Sequence, residues 1–250
     1  MRITSKLLVA ALVLGAAGSA AAQTADEVAE KVIVATGGRE ALGKLQSRST
    51  SGTMTIATPG GDIAGTIEVL NARPNKSRTL ITLDLSAVGA GSMVLDQRFD
   101  GTAGFAIDSM RGNHEITGGQ LALMKENAFP TPLLDYKQRN TKLDLAGKEK
   151  VGDRDALVLT VTPAAGPPSR LFIDAETYLP IRSVVTVNVP EAGGDVEQTI
   201  EFSDYRDVDG VKVPFVLKGS SAVQNFTITA TNVQHNVKVD EALFSKPAEK

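Results

Sequence analysis

The chain has 250 residues, a formal net charge of −3, two histidines and neither cysteine nor tryptophan. Without cysteine there are no disulfides, thiolate metal ligands, cysteine nucleophiles or lipidated cleavage site. The slight negative charge, the lack of a long Lys/Arg run and an aromatic content of 4% argue against nucleic-acid and carbohydrate partners, which need basic surfaces and stacking platforms.

Arg2 and Lys6 precede the apolar run Leu7 to Ala17, and Ala20, Ala21 and Ala22 follow as small residues before Gln23. This is the pattern of a secretory leader, residues 1–22, cut after Ala22. The apolar run is shorter than the ~20 residues of a membrane helix. The remainder, residues 23–250, has a length common for one β-rich domain and reads as a secreted single domain held by an ordinary hydrophobic core.

Thr24 to Glu27 reads as a capping box, with Val28, Val32, Ile33 and Ala35 at helical spacing up to Gly37-Gly38. A second short helix is expected over Arg39 to Leu45. From Ser47 the period becomes two: Met54 and Ile56, then Ile63, Ile67 and Val69, flank the turn Pro59-Gly60-Gly61. Ser77 to Leu85, Met93 to Phe99 and Gly104 to Asp108 continue the sheet, with Asp100-Gly101 as a tight turn. Arg111 to Glu115 reads as a polar loop. The strand pattern then stops for two helical pieces, Gln120 to Ala128 and Leu133 to Arg139, jointed by Pro130 and Pro132, an arrangement suited to covering an opening. Strands resume at Lys142 and run, through close and even turn signals, to Val233. The expectation is a mainly β, α+β fold: about ten or eleven antiparallel strands in an incompletely closed barrel with a helical lid.

Catalytic signatures are missing. His114-Glu115 has no second histidine at the zinc-helix spacing, and no nucleophile elbow, S-x-x-K pair or phosphate loop occurs. His114 and His235 read as ordinary solvated or satisfied side chains. Asp204, Asp207 and Asp209 lie near a turn but do not follow a calcium-loop pattern. The reading is of no catalytic residue, no metal, no cofactor and no enzymatic activity.

Several segments resemble the LolA/LolB-like superfamily, the periplasmic outer-membrane lipoprotein-sorting proteins. They are Ala35-Thr36-Gly37-Gly38 leading into Leu42, Ala72 to Arg78, Phe99-Asp100-Gly101, Leu145 to Glu149 with Val151 to Arg154, Leu171 to Asp174 with Tyr178-Leu179-Pro180, Asp204 to Phe215, and Asp240 to Phe244. The resemblance spans essentially all of residues 23–250 through turns and strand ends. It implies an unclosed antiparallel barrel with helices lining or lidding its open side, and a hydrophobic cavity for acyl chains. It further implies a periplasmic location and a strand arginine that pins the lid, for which Arg73 and Arg78 are the candidates; transient membrane contact is compatible with it, and the sequence favours a monomer without fixing the oligomeric state. This chain is longer and poorer in aromatics than the dedicated carrier.

The expected function is a non-enzymatic lipid or lipoprotein carrier. A regulatory, sensory or scaffolding module that binds an envelope protein is the alternative. Candidate wall and lid residues are Leu80, Met93, Leu95, Phe105, Ile107, Leu121, Met124, Phe129, Leu133 and Leu134. Plain core packing fits the same pattern, because a one-residue slip in register reverses which face a strand residue occupies.

Overall fold

The structure, a computed structural model, describes residues 23–86, 89–189 and 193–247; the segment read as a secretory leader lies outside the described residues. The Thr24 hydroxyl accepts from the Glu27 amide while the Glu27 carboxylate accepts from the Thr24 amide, closing the expected box. Two amides that helix α1 (Ala25–Ala35) cannot pair internally are thereby satisfied. Its apolar stripe, Val28, Ala29, Val32 and Ile33, is buried. Gly37, at φ 134°, turns the chain into α2 (Gly38–Lys44). A side chain there would begin 2.6 Å from the Gly210 carbonyl oxygen, so the corner needs glycine for its backbone angle and for its lack of a Cβ.

One antiparallel sheet takes up most of the chain: β1 (Ser47–Ala57), β2 (Ile63–Ala72), β3 (Lys76–Asp84), β4 (Ser92–Phe99), β5 (Gly104–Asp108), β6 (His114–Ile116), β7 (Lys142–Val151), β8 (Arg154–Thr162), β9 (Ser169–Asp174), β10 (Pro180–Val189), β11 (Gly194–Val208), β12 (Val211–Ser221) and β13 (Asn225–His235). These 13 strands exceed the ten or eleven expected. Part of the difference is β6: His114 and Glu115, expected in a loop, pair with Ala106 and Phe105. Helix α3 (Gly118–Glu126) matches the first expected helical piece. The second does not form. Residues 133–139 make turns, with the Arg139 amide donating to the Asp135 carbonyl and the Asn140 amide to that of Lys137. Burial of Leu133, Leu134 and Tyr136 holds that segment, and the Arg139 guanidinium ties it back to the carbonyls of Lys125 and Glu126.

The spatial order is β6-β5-β4-β3-β2-β1-β13-β12-β11-β10-β9-β8-β7. Two meanders, β1–β6 and β7–β13, therefore meet at the β1–β13 ladder, and the barrel is left open between β6 and β7. Those two edges are consecutive in sequence. The connection between them, which contains α3, consequently crosses the open side, and the topology itself makes it a cover.

Strand register assigns the faces. Helices α1 and α2, with Phe129, Leu133, Leu134 and Tyr136, pack onto Leu157, Leu159, Ile173, Val211, Val213, Phe215, Ala230 and Val233 to form the main core on the inner face. A smaller cluster of Ala156, Val158, Phe172, Ile181 and Val184 lies on the outer face. Asp240 accepts from the Ala242 amide and caps a short 3-10 turn, Glu241–Leu243, ahead of the buried Phe244. The chain then crosses the outer face, where Arg98 donates to the Ser245 carbonyl and Lys76 pairs with Glu241. Among the described residues no helix is long and apolar enough to cross a membrane.

Candidate functional site

The α1/α2 core fills one end of the inner face, and apolar rows continue beyond it. Ile67 on β2 pairs with Ile81 on β3, which pairs with Leu95 on β4; two residues further along, Gly65 pairs with Leu83 and Leu83 with Met93. Across the seam, Met54 on β1 pairs with Ile228 on β13, Ile228 with Leu217 on β12, and Leu217 with Phe202 on β11. Ile81, Met93, Leu95, Ile228, Leu217 and Phe202 are only half-buried. The result is an apolar trough between the two arms.

Helix α3 spans this trough. A Cβ at Gly104 on β5 would stand 3.4 Å from the Met124 sulfur, and one at Gly166, in the loop after β8, 3.8 Å from the Ala122 Cβ. The helix thus touches both arms. Its four apolar residues, Leu121, Ala122, Leu123 and Met124, are half-buried and none of its side chains is fully buried. Two shallow clefts elsewhere, of about 350 Å³ beside Glu201, Lys218 and Thr227 and about 280 Å³ beside Thr160, Arg170 and Thr186, open on the outer face.

The residues expected to form wall and lid fall in three places. Met93 and Leu95 face the trough, and Leu121 and Met124 ride on α3. Phe129, Leu133 and Leu134 are buried in the main core, as structural packing. Leu80, Phe105 and Ile107 lie on the outer face: Asp96 is paired with both Leu80 and Ile107, and Arg98 with Phe105, one residue out of phase with Leu95. The Lys246 ammonium stands 5.4 Å from the centre of the Phe105 ring there.

The arginines also redistribute. Arg73 donates to the carbonyls of Leu45 and Leu42, at 2.6 and 3.0 Å, and so closes the end of α2. Arg78 pairs with Asp96 on the outer face. The covering segment is instead engaged by Arg39, which donates to the Leu134 carbonyl at 3.1 Å, by Arg139, and by Arg48, whose guanidinium lies 5.3 Å from the Phe129 ring centre. Sequence reasoning missed these three. For Arg48 a signal existed: it has the same strand parity as Met54 and Ile56, which marks it as inward-facing.

Arg48 donates from Nε to the Nε2 of His235 at 3.1 Å, its pairing partner across the seam. That bond puts the imidazole proton on Nδ1, which lies 3.3 Å from the Asp209 carboxylate, within ion-pair reach but outside hydrogen-bond geometry. Burial pushes the Arg48 guanidinium down to about 10. Burial, with Arg48 beside it, holds His235 below its ordinary 6.5 despite the opposing pull of Asp209. Lowering the pH below that ordinary value therefore protonates the unfolded chain at His235 before the folded one. Stability is complete above it and declines below it until the folded ring also titrates. Thermal melts of the wild type from about pH 8 to about pH 5 should lose more than those of His235→Gln. Parallel losses would remove His235 as the source.

No protein-family model matches this chain, and no curated protein matches it in sequence. Solved structures do. A DUF1329 family protein from Desulfovibrio piger superposes with a TM-score of 0.58 at 14% identity, covering 88% of this chain and 95% of its own. A LolA superfamily protein from Nitrosomonas europaea gives 0.56 at 15%, covering 90% and 99%. An outer-membrane lipoprotein-sorting protein domain from Vibrio parahaemolyticus gives 0.54 at 11%, covering 88% and 95%. At these identities the likeness concerns the fold, and the fold is LolA-like.

Proposed function

We propose that this protein is a periplasmic, non-enzymatic carrier that holds the acyl chain of a lipid or lipoprotein along the inner face, between its two arms and beneath α3. The observation that carries the reading is the trough itself: half-buried Ile, Leu and Met rows crossed by a helix that fully buries none of its own side chains. Apolar surface left partly wet in this way is a binding surface waiting for cover, and each CH₂ laid into it contributes ~0.8 kcal/mol. The LolA-like fold supports the same reading, and so do residues 1–22 as an export leader. The histidines offer no rival chemistry: His235 is engaged by Arg48, and His114 sits exposed on an edge strand with its ring nitrogen 2.9 Å from the Gly112 carbonyl.

Native mass spectrometry of protein purified without detergent tests the proposal. The expected result is a fraction carrying an added mass of acyl-chain size, with amide exchange in α3 slowed relative to delipidated protein. Neither adduct nor uptake of added long-chain lipid, with a stoichiometric protein bound instead, would overturn it in favour of a partner-binding module.

A further inference from the structure

The inner face changes character along its strands. The rows through Ile67, Ile81 and Leu95 and through Leu83 and Met93 are apolar. Toward the α2 end, the next rows are mixed: Thr50 on β1, Val69 on β2, Thr79 on β3 and Gln97 on β4 in one, Arg48 on β1, Asn71 on β2, Ser77 on β3 and Phe99 on β4 in the other. Thr50, Asn71, Ser77 and Thr79 are half-buried, and their side chains make no hydrogen bond to other described residues. Arg48, Thr50 and Asn71 are immediate neighbours: adjacent strands lie ~4.8 Å apart and two residues span ~6.6 Å along one strand.

Arg48 is the unusual member. Arg39, Arg78, Arg98, Arg182 and Arg206 each hold a carboxylate. Arg48 has none within ion-pair distance among the described residues. It donates only from Nε, to a neutral imidazole, which leaves its terminal nitrogens without protein acceptors. Arg48 is half-buried and its terminal nitrogens remain open to an incoming group, so an anion brought to them gains bidentate, charge-assisted bonds at a partly desolvated guanidinium.

We propose that Arg48, with Thr50 and Asn71, forms an anion subsite at the α2 end of the trough. It takes the carboxylate or phosphate-ester head of an amphiphile whose chain runs along the apolar rows. The inference rests on the acyl-binding reading and narrows it to singly chained or multiply chained lipids with an anionic head. The six steps from Arg48 to Met54 give the chain about 20 Å of strand at ~3.3 Å per residue. The buried Phe129 ring lies 5.3 Å from the guanidinium and packs against its other side.

Calorimetric titration of the full mature chain with dodecanoate, dodecan-1-ol and dodecylamine separates the parts. Wild type should bind dodecanoate about tenfold more tightly than the alcohol, and the amine more weakly still. Arg48→Met should bring dodecanoate down to the level of the alcohol and leave the alcohol unchanged, while Arg48→Lys should keep part of the preference. If Arg48→Met does not fold, the ranking of heads by wild type decides alone. Equal binding of all three heads would sink the subsite and leave the trough intact, whereas binding of none would sink the trough as well. Inorganic phosphate should not displace dodecanoate; displacement would assign the site to a free anion and overturn the amphiphile.

Discussion

Ile81→Glu should keep the fold and reduce dodecanoate affinity about 100-fold, which corresponds to roughly 2.7 kcal/mol. Ile81 sits in the middle of the trough between Ile67 and Leu95 and is half-buried when no lipid is present. A carboxylate there stays hydrated in the empty protein, so the thermal midpoint changes little. An acyl chain laid over it must strip that hydration, and an unpaired polar group removed from water costs a few kcal/mol. The matched control is Leu80→Glu, one residue earlier and on the outer face, which should leave affinity unchanged. Equal losses in the two variants, or none in either, would refute the assignment of faces.

Asp96→Ala should cost about 3–5 kcal/mol of stability, the expected penalty for stranding buried charge. Asp96 is 4% exposed and accepts four bonds: from Arg78 at 2.8 and 2.9 Å and from Arg98 at 3.1 and 2.7 Å. Without it two guanidiniums face one another, and Arg98 also loses the orientation that reaches the Ser245 carbonyl. Burial alone would raise the Asp96 carboxyl, but the bonds from Arg78 and Arg98 outweigh it and hold the group below its ordinary 3.8. Its contribution is thus fully present above that value and fades as the pH falls through the lower, folded one. Urea midpoints measured from about pH 7 down to about pH 3 should fall more steeply for wild type than for Asp96→Ala. A loss under about 1 kcal/mol at neutral pH would show that the cluster behaves as an exposed ion pair.

The open sheet and its interruption were readable because local chemistry dictates them. Thr24 and Glu27 close a box three residues apart, Asp100-Gly101 turns a hairpin, and the even parity of Met54 and Ile56 continues through the whole inner face of β1. Facing was harder. Leu80 and Leu95 are both apolar strand residues, and only the pairing of Leu80 with Asp96 reveals that they point to opposite sides. The outer face escapes a simple polar pattern because the C-terminal segment lies against it, with Lys246 over Phe105, which lets apolar residues occupy both faces of one strand. Residues 129–136 read as lid from their prolines and leucines, yet the inward pull of Phe129, Leu133, Leu134 and Tyr136 makes them core, and α3 is the part of the connection with no buried side chain. Arg48 was legible only by extending the parity of Met54 and Ile56 back through Ser47 to Thr53, a stretch with no apolar residue of its own to mark the inward side.

Every strand pairing except one joins neighbours in sequence. Each meander can zip up hairpin by hairpin at small entropic cost, while β1 and β13 must find each other across most of the polypeptide. That single long-range encounter carries the largest loop-closure cost among the strand pairings. Until it happens two half-formed sheets expose greasy concave surfaces, the circumstance in which a chaperone has most to offer.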